Sequence, residues 1–186
     1  MPTGPEDGRV HRLLLLLVAG LLLPGCGGPP DPGSERPGAG AGLPVPGGAQ
    51  EATVVRPVDG DTVVLRGRGA GPLSADPVRV RLLLVDTPEV AEGSECFGPE
   101  AAHRAEELMP DGTVVRVQAD VEATDRFGRP LLHVWNAEGV SIGEALLREG
   151  YATVLLVGPN SAYLEAFRAA ERSARGQRLG LWSACR

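Results

Sequence analysis

RLLLVDTPE, residues 81–89, opens on a cation, runs through four aliphatic side chains and closes on two carboxylates around Thr87-Pro88. With the residues before it the stretch reads VRVRLLLV (78–85), first alternating and then continuously apolar. Such a run predicts a strand whose second half is covered on both faces. Its end carries Asp86 and Glu89, which are either a solvated turn or the edge of a site. Arg81 and Asp86 are five residues apart, about 16 Å along a regular strand. An odd separation also sends their side chains to opposite faces. If both serve one site, the chain must bend or bulge between Leu82 and Val85, as strands near active sites and barrel rims often do.

The surrounding sequence supplies the rest of a small barrel. ATVVRPV (52–58) and DTVVLRG (61–67) are β-rich runs separated by the turn signal Asp59-Gly60. TVVRVQA (113–119) and PLLHVWN (130–136) are two more, joined through DRFGR (125–129). Gly98-Pro99 opens a helix that stops at Pro110, since proline is tolerated only in the first turn. Ser141 and Glu144 have capping-box spacing, and Gly150 ends the helix they begin. Asn160 or Ser161 can cap a last helix with Leu164, Phe167, Ala170 and Ala174 on one stripe. The expected class is α+β, mainly β: a five-stranded OB-fold barrel with three helices.

The chain has 186 residues and a formal charge of −6, which bounds it to one ordinary domain plus extras. Residues 1–26 read as a secretory signal: Arg9, His11 and Arg12 precede an apolar run, Leu13 to Leu23, too short to span a bilayer. Leu23-Pro24-Gly25-Cys26 resembles a bacterial lipobox, with Pro24 as a departure from it. This makes Cys26 the expected lipidation site and anchor to a membrane. An ordinary secreted protein and an uncleaved anchor are the alternatives. Residues 27–51, rich in Gly and Pro, lack the apolar surface that offsets ordering entropy and read as a disordered tether. The folded domain is expected over 52–186. Acylation of Cys26 would leave Cys96 and Cys185 as a disulfide pair in an oxidising compartment, contributing roughly 4 kcal/mol by chain entropy. Two unrelated thiols are the alternative.

VDGDTV (58–63), RLLLVDTPE (81–89), ECFGPEA (95–101), DRFGR (125–129) and GLWS (180–183) resemble, in order and approximate spacing, the staphylococcal-nuclease-like (thermonuclease) family. That resemblance implies a calcium-dependent nuclease acting on DNA and/or RNA. It implies Asp61 and Asp86 as direct Ca²⁺ ligands, with Thr87 giving its backbone carbonyl, and Asp59 as an acid behind them. It implies Glu89 as the residue that positions or deprotonates the attacking water, and Arg81 and Arg129 as the two phosphate clamps. The chemistry suits these residue types: hard carboxylate oxygens hold a dication, and planar guanidinium forks grip phosphate bidentately.

Two features depart from the family pattern. Phe127 replaces a tyrosine, and TVLLVGPNS (153–161) lacks the tyrosines that flank a bound base. Residues 51–186 hold 15 arginines, no lysine and 20 carboxylates, so any positive groove for nucleic acid must be local, around Arg81 and Arg129. The rival expectations are a non-catalytic OB-fold binding module tethered to the membrane, and a structural domain stabilised by calcium. His103 and His133 have no partner at metal-ligand spacing and read as structural. Trp135 and Trp182 read as packing residues, and the chain as a monomer.

Overall fold

The structure, a computed structural model, describes residues 42–69, 71–90 and 94–185. The expected signal (1–26), its Cys26 and residues 27–41 of the expected tether lie outside them. Five strands close a barrel in the order β1-β2-β3-β6-β5. They are β1 (Gln50–Pro57), β2 (Thr62–Arg66), β3 (Val78–Leu82), β5 (Val114–Thr124) and β6 (Pro130–Trp135). All barrel pairings are antiparallel except β3 with β6. A separate two-stranded ribbon joins β4 (Leu84–Asp86) to β7 (Thr153–Leu155). Helices α1 (Gly98–Leu108), α2 (Ile142–Glu149) and α3 (Leu164–Gln177) complete the OB-type architecture, and a single turn, α4 (Leu181–Ala184), follows.

The core forms where the alternating strands meet the apolar stripes of α2 and α3. Val54, Val63, Leu65, Val80, Leu131 and Leu146 are fully or almost fully buried, and Phe167 and Ala170 of α3 close one side. Each large aliphatic removed from water contributes about 1.5–3 kcal/mol, so the barrel is the rigid part on which its rims are carried.

Three local expectations give way to tertiary partners. Ser141 stands at the N-cap of α2 without a capping hydrogen bond. Glu144 turns instead to the Leu43 amide (2.7 Å) and to Arg148. Asn160 does not cap α3, whose N-cap is Tyr163. It is wholly buried and binds the Glu122 backbone twice, accepting from N–H at 2.7 Å and donating to C=O at 3.2 Å. The domain boundary expected at 51/52 falls inside β1, and the chain before β1 is already docked: the Trp135 indole donates to the Leu43 carbonyl at 3.1 Å. A buried indole N–H and a buried carboxylate both need partners, and backbone of a Gly/Pro-rich segment supplies them.

Candidate active site

The strand beginning at Val78 is broken at Leu83. β3 stays in the barrel, while β4 turns out to pair with β7. Leu84 takes up the turn with φ 63°, a left-handed conformation that costs a non-glycine residue about 1–2 kcal/mol. The Arg81 side chain stitches the two sides of the break. Its Nη1 donates to the carbonyls of Leu82 (3.0 Å) and Val85 (2.6 Å), and its Nη2 to Asp86 Oδ1 (2.9 Å). The same Nη2 lies 3.1 Å from Asp61 Oδ2. One nitrogen thus draws together two carboxylates that a straight strand would keep apart.

Asp61 is delivered by the β1–β2 turn. Asp59 Oδ1 accepts from the amides of Asp61 (3.0 Å) and Thr62 (2.7 Å), fixing that turn. Gly60 is required by space: a Cβ there would sit 2.6 Å from the Thr87 side chain. The Thr87 amide and hydroxyl donate to Asp61 Oδ2 at 3.0 and 3.2 Å, and the Thr62 hydroxyl donates to Oδ1 at 3.2 Å. Burial pushes the Asp61 carboxyl up from 3.8 to about 6, against the pull of Arg81 and the Thr87 amide; Asp59 and Asp86 add to the push. The carboxylate is held with more negative charge nearby than one guanidinium neutralises.

Arg129 arrives from the β5–β6 turn. Asp125 Oδ1 accepts from the amides of Phe127 and Arg129 (both 2.9 Å), and Oδ2 accepts from Arg129 Nε at 2.7 Å. Burial opposes ionisation of Asp125, but these bonds hold its pKa below the usual value. Arg129 Nη1 and Nη2 make no hydrogen bond among the described residues, so the outer fork is free. Because β3 runs parallel to β6 with Arg81 opposite Leu131, both arginines face one cleft of about 450 Å³, shared with Arg126, Phe127, Leu155 and Val157. Three arginines line it beside two carboxylates, Glu122 and Asp125, and Arg81 and Arg129 are each already ion-paired. Phe127 is 70% exposed, with the Arg126 guanidinium 4.7 Å from its ring centre.

The structure therefore brings Asp61, Arg81, Asp86 and Thr87 together and sets Arg129 across the cleft. Glu89 is exposed, and its carboxylate makes no hydrogen bond or ion pair among the described residues. Cys96 and Cys185 are joined by a disulfide. Among the described residues no three His, Cys, Asp or Glu side chains converge on one point. A dication is nevertheless compatible with the donors: two hard carboxylates already converge on a single positive nitrogen, next to Thr87. Leu155, Val157 and Arg126 were not singled out as cleft residues from sequence. Arg126 lies within the DRFGR motif, whereas Leu155 and Val157 reach the cleft only because β7 pairs with β4.

The fold and site define a five-stranded OB-type barrel that brings one buried and one exposed carboxylate to Arg81 at a strand break and sets two arginines on one cleft. Comparison with known proteins narrows the class. Residues 79–184 match the family model "Staphylococcal nuclease homologue". The chain is 35% identical over 137 residues to the SPbeta prophage-derived endonuclease YokF of Bacillus subtilis (strain 168), covering 72% of this chain and 44% of that protein. It is 36% identical over 135 residues to Endonuclease YncB of the same organism, covering 70% and 61%. A thermonuclease of Staphylococcus hyicus is 29% identical over 137 residues, covering 72% and 76%. The chain belongs to the staphylococcal nuclease family. It spans less than two thirds of the length of the two Bacillus proteins.

Proposed function

We propose that this domain is a calcium-dependent nuclease that hydrolyses phosphodiester bonds of DNA and/or RNA. The observation that carries the reading is the pairing of one cleft with two arginines of different engagement. Arg81 is bound to the carboxylates of Asp61 and Asp86, and Arg129 is oriented through Nε with its outer fork open. Asp61, Asp86 and the Thr87 carbonyl would hold Ca²⁺. When bound, the ion supplies a Lewis acid that neutralises phosphate charge and can position water. Arg81 Nη2, which holds Asp61 and Asp86, would be available to the phosphate where a cation engages those carboxylates. Arg129 grips the same group from across the cleft, and both act most strongly as charge builds in the transition state. Glu89 positions or deprotonates the attacking water. Phe127, Leu155 and Val157 offer the nucleotide an apolar wall.

We place the enzyme outside the cytoplasm, as a monomer anchored through Cys26. The disulfide supports an oxidising compartment, and Cys26→Ser should abolish lipid labelling. The central test is a digest of single-stranded DNA and of RNA by the purified protein, with calcium and with EDTA. Cleavage requiring calcium, and falling by more than about 10²-fold in Arg129→Ala, is the expected result. Cleavage indifferent to EDTA, or an Arg129→Ala protein within tenfold of wild type, overturns it.

A further inference from the structure

Among the described residues Glu89 is hydrogen-bonded only through its backbone amide and carbonyl, and Glu95 is the partner of both. The Glu89 amide donates to Glu95 Oε2 at 3.1 Å, and the Glu95 amide donates back to the Glu89 carbonyl at 2.9 Å. Gly98, at the start of α1, closes the clasp from the other side: a Cβ there would lie 2.5 Å from the Glu89 carbonyl oxygen. Glu95 is itself exposed, and an exposed side chain has no packing to keep it on its partner. What fixes it is the next residue. Cys96 is covalently tied to Cys185, and Cys185 ends α4, whose Leu181 amide donates to the Gly150 carbonyl at the end of α2 (2.9 Å). The bridge also stands beside the ligand segment: Cys96, Cys185 and Glu95 line one cavity of about 290 Å³ with Asp86 and Thr87. The fixed framework thus runs from the helical core through the disulfide to Glu95, and from Glu95 to Glu89.

We infer that Glu95, anchored by the Cys96–Cys185 disulfide, is the positioning residue that sets Glu89 for the hydrolytic step. The inference rests on the nuclease reading for its kinetic consequence and on the two backbone hydrogen bonds for its structural one. A displacement of about 1 Å in a catalytic group can cost on the order of 10²-fold in rate, so losing the clasp should lower kcat and leave substrate affinity nearly intact. A disulfide that only stabilised the fold would lower the melting temperature without that split.

The test compares Glu95→Ala, Glu95→Gln, Cys185→Ser and Cys96→Ser/Cys185→Ser in the full chain, and the wild type before and after reduction with a phosphine. Two quantities are read: hydrogen exchange at the Glu89 amide, and kcat and KM on single-stranded DNA at saturating calcium. In Glu95→Ala the Glu89 amide should exchange at least about tenfold faster, and kcat should fall about 10–100-fold with KM little changed. Glu95→Gln keeps an acceptor oxygen and should restore both. Cys185→Ser and the reduced wild type should move kcat in the same direction, and the phosphine should do nothing further to the double variant. Unchanged Glu89 exchange in Glu95→Ala overturns the inference. So does a Glu95→Gln protein as impaired as Glu95→Ala, or a loss confined to KM. Removal of the disulfide that lowers the melting temperature but leaves kcat untouched overturns the bridge's part in it. A wild type that cleaves no nucleic acid defeats the nuclease reading, and the exchange measurement then decides the clasp alone.

Discussion

Asp61 and His133 are both buried titratable groups of the barrel, and their surroundings could hardly differ more. Asp61, 7% exposed, receives two hydrogen bonds from Thr87 and one from Thr62, and touches Arg81. His133, 3% exposed on β6, has no hydrogen-bond partner at either ring nitrogen among the described residues. Its neighbours are rings: Tyr163 and Phe167 edge-on at 4.9 and 5.8 Å, and Trp135 at 6.2 Å. Burial favours the neutral form of each group. It lifts Asp61 to about 6, and it drops His133 from 6.5 to about 4 against a weak pull from Asp120. The difference shows what a barrel does with polarity. At the strand break, desolvated charge is kept and given hydrogen-bond and ion-pair partners. Inside the aromatic cluster, the polar atoms are simply silenced.

The strongest way to break the contrast is Arg81→Ala. It removes the cation shared by Asp61 and Asp86 and the stitch across the Leu83 break. Turnover should fall by more than about 10²–10³-fold, and stability by about 3 kcal/mol, as expected when one partner of a buried ion pair is lost. Denaturant titration and single-turnover kinetics would register both; a stable, active variant would mean the break holds itself.

His133 provides the next effect. Its pKa is depressed on folding, so its contribution to stability is complete above about 6.5 and is lost as pH falls through about 4. Stability followed by denaturant titration should drop by up to about 3 kcal/mol across that window. His133→Leu should flatten this part of the curve, and an unaltered acid limb would show that other groups set it.

Asp61 has the opposite sign. Its raised pKa means a stability contribution present below about 3.8 and lost as pH rises through about 6. Asp61→Asn, measured in EDTA at pH 7, should therefore be stabilised by up to about 3 kcal/mol while the proposed calcium binding is lost. Equal or lower stability would show that the Arg81 contact outweighs desolvation.

The barrel was legible because its strands are β-rich runs bounded by turn signals such as Asp59-Gly60, and the bend in RLLLVDTPE because Arg81 and Asp86 have the wrong spacing for one face. The β4–β7 ribbon was not. Thr153–Leu155 is three residues long, too short for a periodicity, and β4 reads as the continuation of β3. Glu144 and Asn160 misled for a related reason: local spacing offered each a cap, whereas Leu43 and Glu122 are 101 and 38 residues away. The docking of Leu43 left no compositional trace, since its backbone does the bonding. At the site, the motif residues could be assigned by resemblance, but their order could not be read in full. That Arg81 bridges two carboxylates while Arg129 keeps its fork free depends on where β6 lies beside β3.

The Cys96–Cys185 bond spans 89 residues and encloses α1, β5, β6, α2, β7, α3 and α4 in one covalent ring. Asp61, Arg81, Asp86 and Glu89 lie on the open arm before it, and Arg129 lies on the ring. A single protease cut anywhere between Cys96 and Cys185, including one in the exposed turn that carries Phe127, yields two segments that cannot drift apart until the bond is reduced. A nicked molecule would run as two bands only on a reducing gel and would still carry every residue of the cleft.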